Sequence, residues 1–213
     1  MSNKISDIRS DYLMSELNKS DLESNPISQF KSWFSKALES NIFEPNAMVL
    51  STVDILCKVN ARVVLLKDIT SKGFVFFTNY NSSKGRDLLE NPQGSLTFFW
   101  PQLEQQIRVN GNIEMTTRAY SKAYFDSRPR ESQIAAIASN QSEKLKSREE
   151  LSNEFIRLEK EFKGISLSIP DHWGGYLVKP TEIEFWQGRK SRMHDRFIYS
   201  LINNEWIIDR LSP

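Results

Sequence analysis

Four stretches of this chain gather side chains suited to holding anions. The densest is Glu184-Phe185-Trp186-Gln187-Gly188-Arg189-Lys190-Ser191-Arg192-Met193-His194-Asp195-Arg196. Arg192, His194 and Arg196 alternate, so in an extended segment they share one face and Met193 and Asp195 take the other. Two guanidiniums beside an imidazole suit an anionic, electron-rich ligand and favour the neutral ring, because nearby positive charge opposes protonation. A charged edge strand with an Asp195 ion pair is the alternative for the same residues. In Arg62-Val63-Val64-Leu65-Leu66-Lys67 two cations end an apolar run. On a regular strand they point to opposite faces and would serve different anions, or both snorkel into water. Thr78-Asn79-Tyr80-Asn81-Ser82-Ser83-Lys84 offers hydroxyls, helix-start N–H groups and an ammonium to a phosphate, or simply an N-cap at Ser82 or Ser83. Tyr124, Arg128 and Ser132 recur at a spacing of four across Pro129. If they converge on a rigid turn they form a phosphomonoester clamp; otherwise the stretch is a solvated charged loop.

These stretches need a scaffold. Asn25 and Pro26 cap a helix whose apolar face runs Ile27, Phe30, Trp33, Phe34, Ala37, Leu38. Five short runs follow, at Ala47–Val53, Arg62–Lys67, Gly73–Thr78, Ser95–Trp100 and Gln105–Met115, separated by turn residues and by a helix at Ser83–Glu90. Their spacing predicts an antiparallel sheet or barrel. Helices are predicted over Thr116–Asp126 and after the capping box Ser147-Arg148-Glu149-Glu150, with the core stripe Leu151, Phe155, Leu158, Phe162. Strands return at Gly175–Val178, Glu182–Gln187, Arg196–Leu201 and Trp206–Asp209, with Asn203-Asn204 as a hairpin turn. The class is α+β, a mostly antiparallel barrel with peripheral helices, forming one domain over residues 26–213. Residues 1–25 read as a mobile or loosely packed arm.

Composition narrows the function. The 213 residues carry 28 Lys plus Arg against 27 Asp plus Glu, so nothing in the bulk charge points to nucleic acid or to a membrane. Cys57 is the single cysteine; it can form no intrachain disulfide and reads as a buried or half-buried packing residue. Charges throughout Met1–Leu17 and the lack of a bilayer-length apolar run make a cytoplasmic setting the expectation. The eight glycines form no dinucleotide or P-loop pattern, and His172, His194 and Cys57 lack metal-site spacing, so no metal is expected. An enzyme of this kind would carry its chemistry on a bound organic cofactor.

Taken in order, the strings RVVLLK (Arg62–Lys67), FTN (Phe77–Asn79), SRPRESQ (Ser127–Gln133), SNQS (Ser139–Ser142), WGG (Trp173–Gly175), EFWQG (Glu184–Gly188), RMHDR (Arg192–Arg196) and the terminal RLSP (Arg210–Pro213) resemble the pyridoxamine/pyridoxine 5′-phosphate oxidase family. The likeness runs from about Ile8 to Pro213. It implies a split β-barrel homodimer with FMN at the subunit interface. It also implies FMN contacts at Arg62, Lys67, Phe77, Thr78, Ser83, Lys84, Gln106, Gln141, Ser142, Trp186 and Arg196. Substrate contacts would fall on Arg9, Tyr12, Lys67, Tyr124, Arg128 and Ser132, with Arg192 and His194 over the pyridine ring as the catalytic pair. Ser83 stands where the family usually has Arg, Gln105 where it often has Arg, and Asp54–Ala61 lacks the usual Gly-x-Pro hairpin. The implied reaction converts pyridoxine or pyridoxamine 5′-phosphate to pyridoxal 5′-phosphate with O2 as acceptor and H2O2 as product. A non-catalytic FMN or pyridoxal-phosphate binder and a nicotinamide-dependent flavin reductase are the alternatives on the same fold.

Overall fold

The computed structural model describes residues 4–7 and 11–213. Among them are five α-helices, α1 (Pro26–Glu39), α2 (Ser83–Glu90), α3 (Arg118–Ser127), α4 (Arg130–Ala138) and α5 (Arg148–Glu161). Nine strands are β1 (Ala47–Val53), β2 (Val59–Leu65), β3 (Asp68–Thr70), β4 (Gly73–Asn79), β5 (Gln93–Trp100), β6 (Gln105–Met115), β7 (Trp173–Gln187), β8 (Asp195–Ile202) and β9 (Glu205–Leu211). They form one sheet in the order β2-β1-β5-β6-β7-β4-β3, and β8 joins β7 and β9. The pairs β3–β4, β4–β7, β7–β8 and β8–β9 are antiparallel. No helix among the described residues is long and apolar enough to cross a membrane.

The residues group into two compact units: Met1–Val49, Ser95–Gly111 and Pro180–Pro213 in the first, Leu50–Gly94 and Asn112–Lys179 in the second. In the first, Ile27, Phe30, Trp33 and Ala37 of the predicted apolar face of α1 are buried in the core with Phe34 half-buried, whereas Leu38 at the end of that face is exposed. Phe30 meets Phe98 edge-on at 4.9 Å and Trp33 meets Phe185 at 5.2 Å, contacts that add about 0.5–1.5 kcal/mol each beyond area burial. Asn25 caps α1 by accepting the Ile27 and Ser28 N–H groups. Residues 17–23, just before α1, are anchored rather than loose. Leu17 is buried, its N–H donates to Asp195, and the Glu23 carbonyl accepts from the Tyr199 hydroxyl. In the second unit Phe125, Ile134, Leu158, Leu167 and Trp173 form a core under α3, α4 and α5, with Phe155 and Phe162 of the predicted stripe packed against it.

One predicted break is absent. Gly175–Val178 and Glu182–Gln187 belong to one 15-residue strand that passes through Pro180. β4 pairs with Trp173–Val178 and β8 with Glu182–Gln187, so Pro180 falls between those two registers, where its missing N–H takes no bond from either. At Arg128–Pro129 the chain makes the expected rigid turn, and α4 starts at Arg130 with Pro129 as its N-cap rather than continuing as a solvated loop. Cys57 is exposed, not buried: it occupies a left-handed position (φ 61°) in a turn where Asp54 accepts the Leu56 and Lys58 N–H groups. That aspartate-centred turn replaces the missing Gly-x-Pro hairpin. Asn203 and Asn204 both have positive φ, as the hairpin between β8 and β9 requires.

Candidate active site

The second unit holds a cavity of about 630 Å³ lined by residues from three of the four anion-suited stretches. Arg62, Lys67, Phe77, Thr78, Lys84, Tyr124, Arg128, Gln141 and Ser142 all reach it. Arg62 and Lys67 face one cavity rather than two sites. β2 ends at Leu65, so the strict alternation that would separate them stops before Lys67. Ser83, the first residue of α2, and Ser132, half-buried on α4, are not among the lining residues.

Lys84 is delivered by the start of α2. Ser82 caps that helix through the Gly85 N–H and donates its own hydroxyl to the Asn79 carbonyl at 2.7 Å. Gly85 is needed there, since a Cβ would lie 1.9 Å from the Tyr80 carbonyl oxygen. The Lys84 ammonium is buried and donates to Thr78 Oγ1, Ser82 Oγ and Gln141 Oε1 at 3.1–3.2 Å, all neutral acceptors. Burial, then the neighbouring Arg62 charge, pull its pKa down to about 8, while Asp87 opposes the fall. Arg62 Nη1 donates to Thr52 Oγ1 at 2.6 Å, and its Nη2 lies 3.7 Å from Asp87. Buried Asp87 in turn accepts from Thr52 at 2.5 Å and from Asn60 at 3.1 Å.

Arg128 sits at the junction of α3 and α4. Gln133 fixes that corner by donating to the Phe125, Asp126 and Arg128 carbonyls. The guanidinium lies 4.8 Å above the Trp173 ring, and its Nη1 is buried without a hydrogen-bond partner among the described residues. Burial lowers its pKa, with Tyr124 opposing. Phe77 stacks on Tyr124 at 3.9 Å and on Trp173 at 5.5 Å, giving the cavity a wall of near-parallel rings. A half-buried guanidinium with one buried nitrogen unpartnered, lining the same cavity as an ammonium served only by neutral groups, suits a multiply charged oxyanion.

The fourth stretch lies in the first unit. There His194 packs against Trp186 (ring centroids 4.7 Å) and edge-on to Tyr12 (5.6 Å). The Arg189 N–H donates to His194 Nδ1 at 3.1 Å, which leaves Nε2 as the protonated nitrogen of the neutral ring. Burial first, then Arg192 and Arg196, lower its pKa, as the alternation of charges led one to expect. The geometry behind that expectation differs, however. Lys190–Arg192 forms a 3₁₀ turn with Ser191 at φ 57° and Arg192 at φ 61°, and extended backbone begins only at Asp195. Arg192 is therefore presented by a left-handed turn, a strained setting for a non-glycine residue of the kind concentrated at functional sites. Asp195 pairs with Arg210 at 2.7 Å, the ion pair that the edge-strand alternative called for. Arg196 is also partnered: its Nε donates to Glu184 at 2.8 Å and its Nη1 to the Ser212 carbonyl. Glu184 is buried and takes Arg108 on its other oxygen at 3.2 Å. Gln106 is half-buried on β6 in this unit, and Arg9 lies outside the described residues. Asp87 was not singled out in the sequence, and its one signal is its place three residues after Lys84 on the same short helix; Glu184 and Gln133 stand in the strings EFWQG and SRPRESQ, which gave them no role of their own.

Comparison with known proteins bears on what this assembly serves. A sequence model described as pyridoxamine 5′-phosphate oxidase matches residues 34–160, and one described as the pyridoxine 5′-phosphate oxidase C-terminal dimerisation region matches residues 173–213. A pyridoxine/pyridoxamine 5′-phosphate oxidase of Nostoc punctiforme is 48% identical over 214 residues, covering all of both chains. One of Leptospira biflexa serovar Patoc is 47% identical over 99% of this chain and 100% of its own. Among solved structures, PhzG from Burkholderia lata 383, in complex with tetrahydrophenazine-1-carboxylic acid, superposes with a TM-score of 0.87 at 30% identity, over 91% of this chain and 95% of that one. A pyridoxamine 5′-phosphate oxidase-related, FMN binding protein from Nostoc punctiforme shares the fold at a TM-score of 0.71 and 16% identity, over 90% of this chain and 100% of that one. The architecture is the expected α+β split barrel. With nearly half its residues shared end to end with such oxidases, and both sequence models matched in order, the chain belongs to the pyridoxine/pyridoxamine 5′-phosphate oxidase family.

Proposed function

We infer that this chain oxidises pyridoxine 5′-phosphate or pyridoxamine 5′-phosphate to pyridoxal 5′-phosphate, working as a homodimer with FMN held at the subunit interface. The redox chemistry that FMN supplies when bound is acceptance of a hydride equivalent from the substrate C4′ carbon, with O2 as terminal acceptor and H2O2 as product; with pyridoxamine 5′-phosphate the resulting imine takes up water and releases ammonia to give the aldehyde. The observation that carries the reading is the cationic cavity, above all the buried and unpartnered Arg128 Nη1 beside the carboxylate-free shell of Lys84. That donor set fits phosphate esters. Arg62, Lys67, Thr78, Ser83, Lys84, Gln141 and Ser142 would serve the phosphate and ribityl end of FMN, while Phe77, Gln106, Trp186 and Arg196 would border the flavin. Lys67, Tyr124, Arg128 and Ser132 would hold the substrate phosphate. Arg192 and His194 would orient the pyridine ring, with Tyr12 and Arg9 closing over it. In this scheme the side chains chiefly bind, orient and exclude water. His194 contributes a donor at Nε2. The single cysteine accords with a reducing, cytoplasmic setting.

The test is an absorbance spectrum of the purified protein before and after anaerobic addition of pyridoxine 5′-phosphate. Bound flavin that bleaches with substrate and recovers in air is expected. A flavin-loaded protein that stays oxidised would overturn the oxidase reading. A monomer holding stoichiometric FMN, by mass in solution, would overturn the interface.

A further inference from the structure

A carboxylate behind the wall of an anion-binding cavity ought to weaken it, yet Asp87 is buried within 3.7 Å of Arg62. Its contacts explain its place. Asp87 Oδ2 accepts from Thr52 Oγ1 at 2.5 Å and from Asn60 Nδ2 at 3.1 Å. The same Thr52 oxygen accepts from Arg62 Nη1 at 2.6 Å, and the Asn60 and Leu50 carbonyls accept from that nitrogen at 3.3 Å. Every one of these groups lies in the second unit. The aspartate therefore sets the hydroxyl against which the guanidinium rests, and holds by its side chain the Asn60 whose main-chain carbonyl also accepts from Arg62.

We propose that Asp87 is a positioning residue of the cationic cavity: through Thr52 and Asn60 it fixes the Arg62 guanidinium at the wall, and its charge offsets the repulsion that Arg62 exerts on Lys84. The proposal rests on the reading of that cavity as the FMN phosphate site. Lys84 is the member that can lose its charge near neutrality. Arg62 from β2 and Asp87 from its own helix act on it most directly; Lys67, Tyr124 and Arg128 complete the titratable lining of the cavity. Burial and Arg62 lower the Lys84 pKa to about 8 while Asp87 raises it. Only protonated Lys84 attracts a phosphate dianion, so anion affinity is full below that pKa and declines as pH rises through it. Removing the Asp87 charge lowers the pKa further and moves the decline toward neutral pH.

The experiment is titration of the FMN-stripped full-length protein with FMN, followed by flavin fluorescence, from pH 6.5 to about 9.5. Wild type should bind most tightly below pH ~8 and then lose up to about tenfold per pH unit, the limit for one proton. In Asp87→Asn the decline should begin at lower pH, with affinity about tenfold weaker at pH ~8 from the combined loss of Lys84 charge and Arg62 placement. Lys84→Arg, which stays charged, should abolish the slope in both backgrounds. Thr52→Val should weaken FMN without moving the slope, because it disturbs Arg62 and leaves the Asp87 charge in place; this keeps the test open should Asp87→Asn fold poorly. A folded Asp87→Asn with the wild-type profile would overturn the proposal alone, and a uniform loss at every pH would overturn the charge offset on Lys84 while supporting the placement of Arg62. A wild type that binds no FMN at any pH would overturn the cavity reading and this proposal with it.

Discussion

Replacing Arg128 with methionine should separate binding from folding. In the free protein the guanidinium has one buried nitrogen without a partner and a cation–π contact with Trp173 at 4.8 Å. An unmet buried donor costs about 1–3 kcal/mol, at the lower end here because the residue is half-buried. The ring contact contributes about 0.5–1 kcal/mol in the opposite sense at such a site. The two nearly offset, and methionine keeps the apolar stem against Trp173. Melting of the flavin-free protein should therefore shift by no more than about 2–4 °C, the equivalent of roughly 1 kcal/mol at this size. Binding has no such offset. A charge-assisted hydrogen bond to a phosphate is worth about 1.5–3 kcal/mol, so kcat/KM for pyridoxine 5′-phosphate should drop about ten- to over a hundredfold. Steady-state peroxide release, flavin content by absorbance and a thermal melt on one preparation decide the matter. A fall of ten degrees or more in Tm with kcat/KM unchanged would show that Arg128 serves the α3–α4 corner and not the ligand.

Other perturbations follow from the same geometry. Lys84→Ala should weaken FMN more than substrate, by about ten- to over a hundredfold and toward the upper half, since Ser83 offers no second charge; FMN titration of the stripped protein is the check, and unchanged retention would count against the assignment. Arg192→Ala and His194→Ala should each lower kcat/KM by roughly tenfold or more with flavin binding nearly intact, Arg192 having the larger effect. Wild-type rates of anaerobic flavin reduction at subsaturating substrate would instead mark both as surface charges worth about 0–1 kcal/mol. The lowered pKa of His194 fixes the sign of one pH effect. A ring that works neutral stays competent as the pH falls past the ordinary imidazole range and fails only on protonation below it, so the acid limb of kcat/KM assigned to His194 belongs below pH ~6.5. Arg196→Gln removes one of the charges that hold it down and should move that limb upward; a limb indifferent to Arg196 would break the link.

What the sequence made legible was local. α2 starts at Ser83, β1 spans Ala47–Val53 and β6 spans Gln105–Met115, because caps, turn residues and alternation act within a few residues. The anion-suited stretches were legible for the same reason: residue type alone marks a cation as able to hold a phosphate. What failed needed a partner strand or a turn. Pro180 reads as a breaker until its place between the registers of β4 and β8 is known. The alternation of Arg192, His194 and Arg196 implies a shared face only in extended backbone, and two left-handed residues remove that condition. Arg62 and Lys67 read as opposed until β2 is seen to stop at Leu65.

The two carboxylates to which the sequence assigned no role share one physical trait. Asp87 is 25 positions from Arg62, and Glu184 is 76 from Arg108, yet each is the buried carboxylate that holds an arginine in place. A guanidinium has five donors in a rigid fork, so it can spend some on an internal anchor and keep others for a ligand; the Lys84 ammonium, with three donors on a flexible stem, is held by neutral oxygens instead. That difference explains why the carboxylates stand behind Arg62 and Arg196 while Lys84 is ringed by Thr78, Ser82 and Gln141. It also explains why sequence cannot reveal them. An anchoring carboxylate is recognisable only by burial and by whom it touches, and both are properties of the folded chain. Substituting Arg62 or Arg196 by lysine therefore preserves charge but not the fork that lets one residue face both ways, and neither exchange should count as conservative in this enzyme.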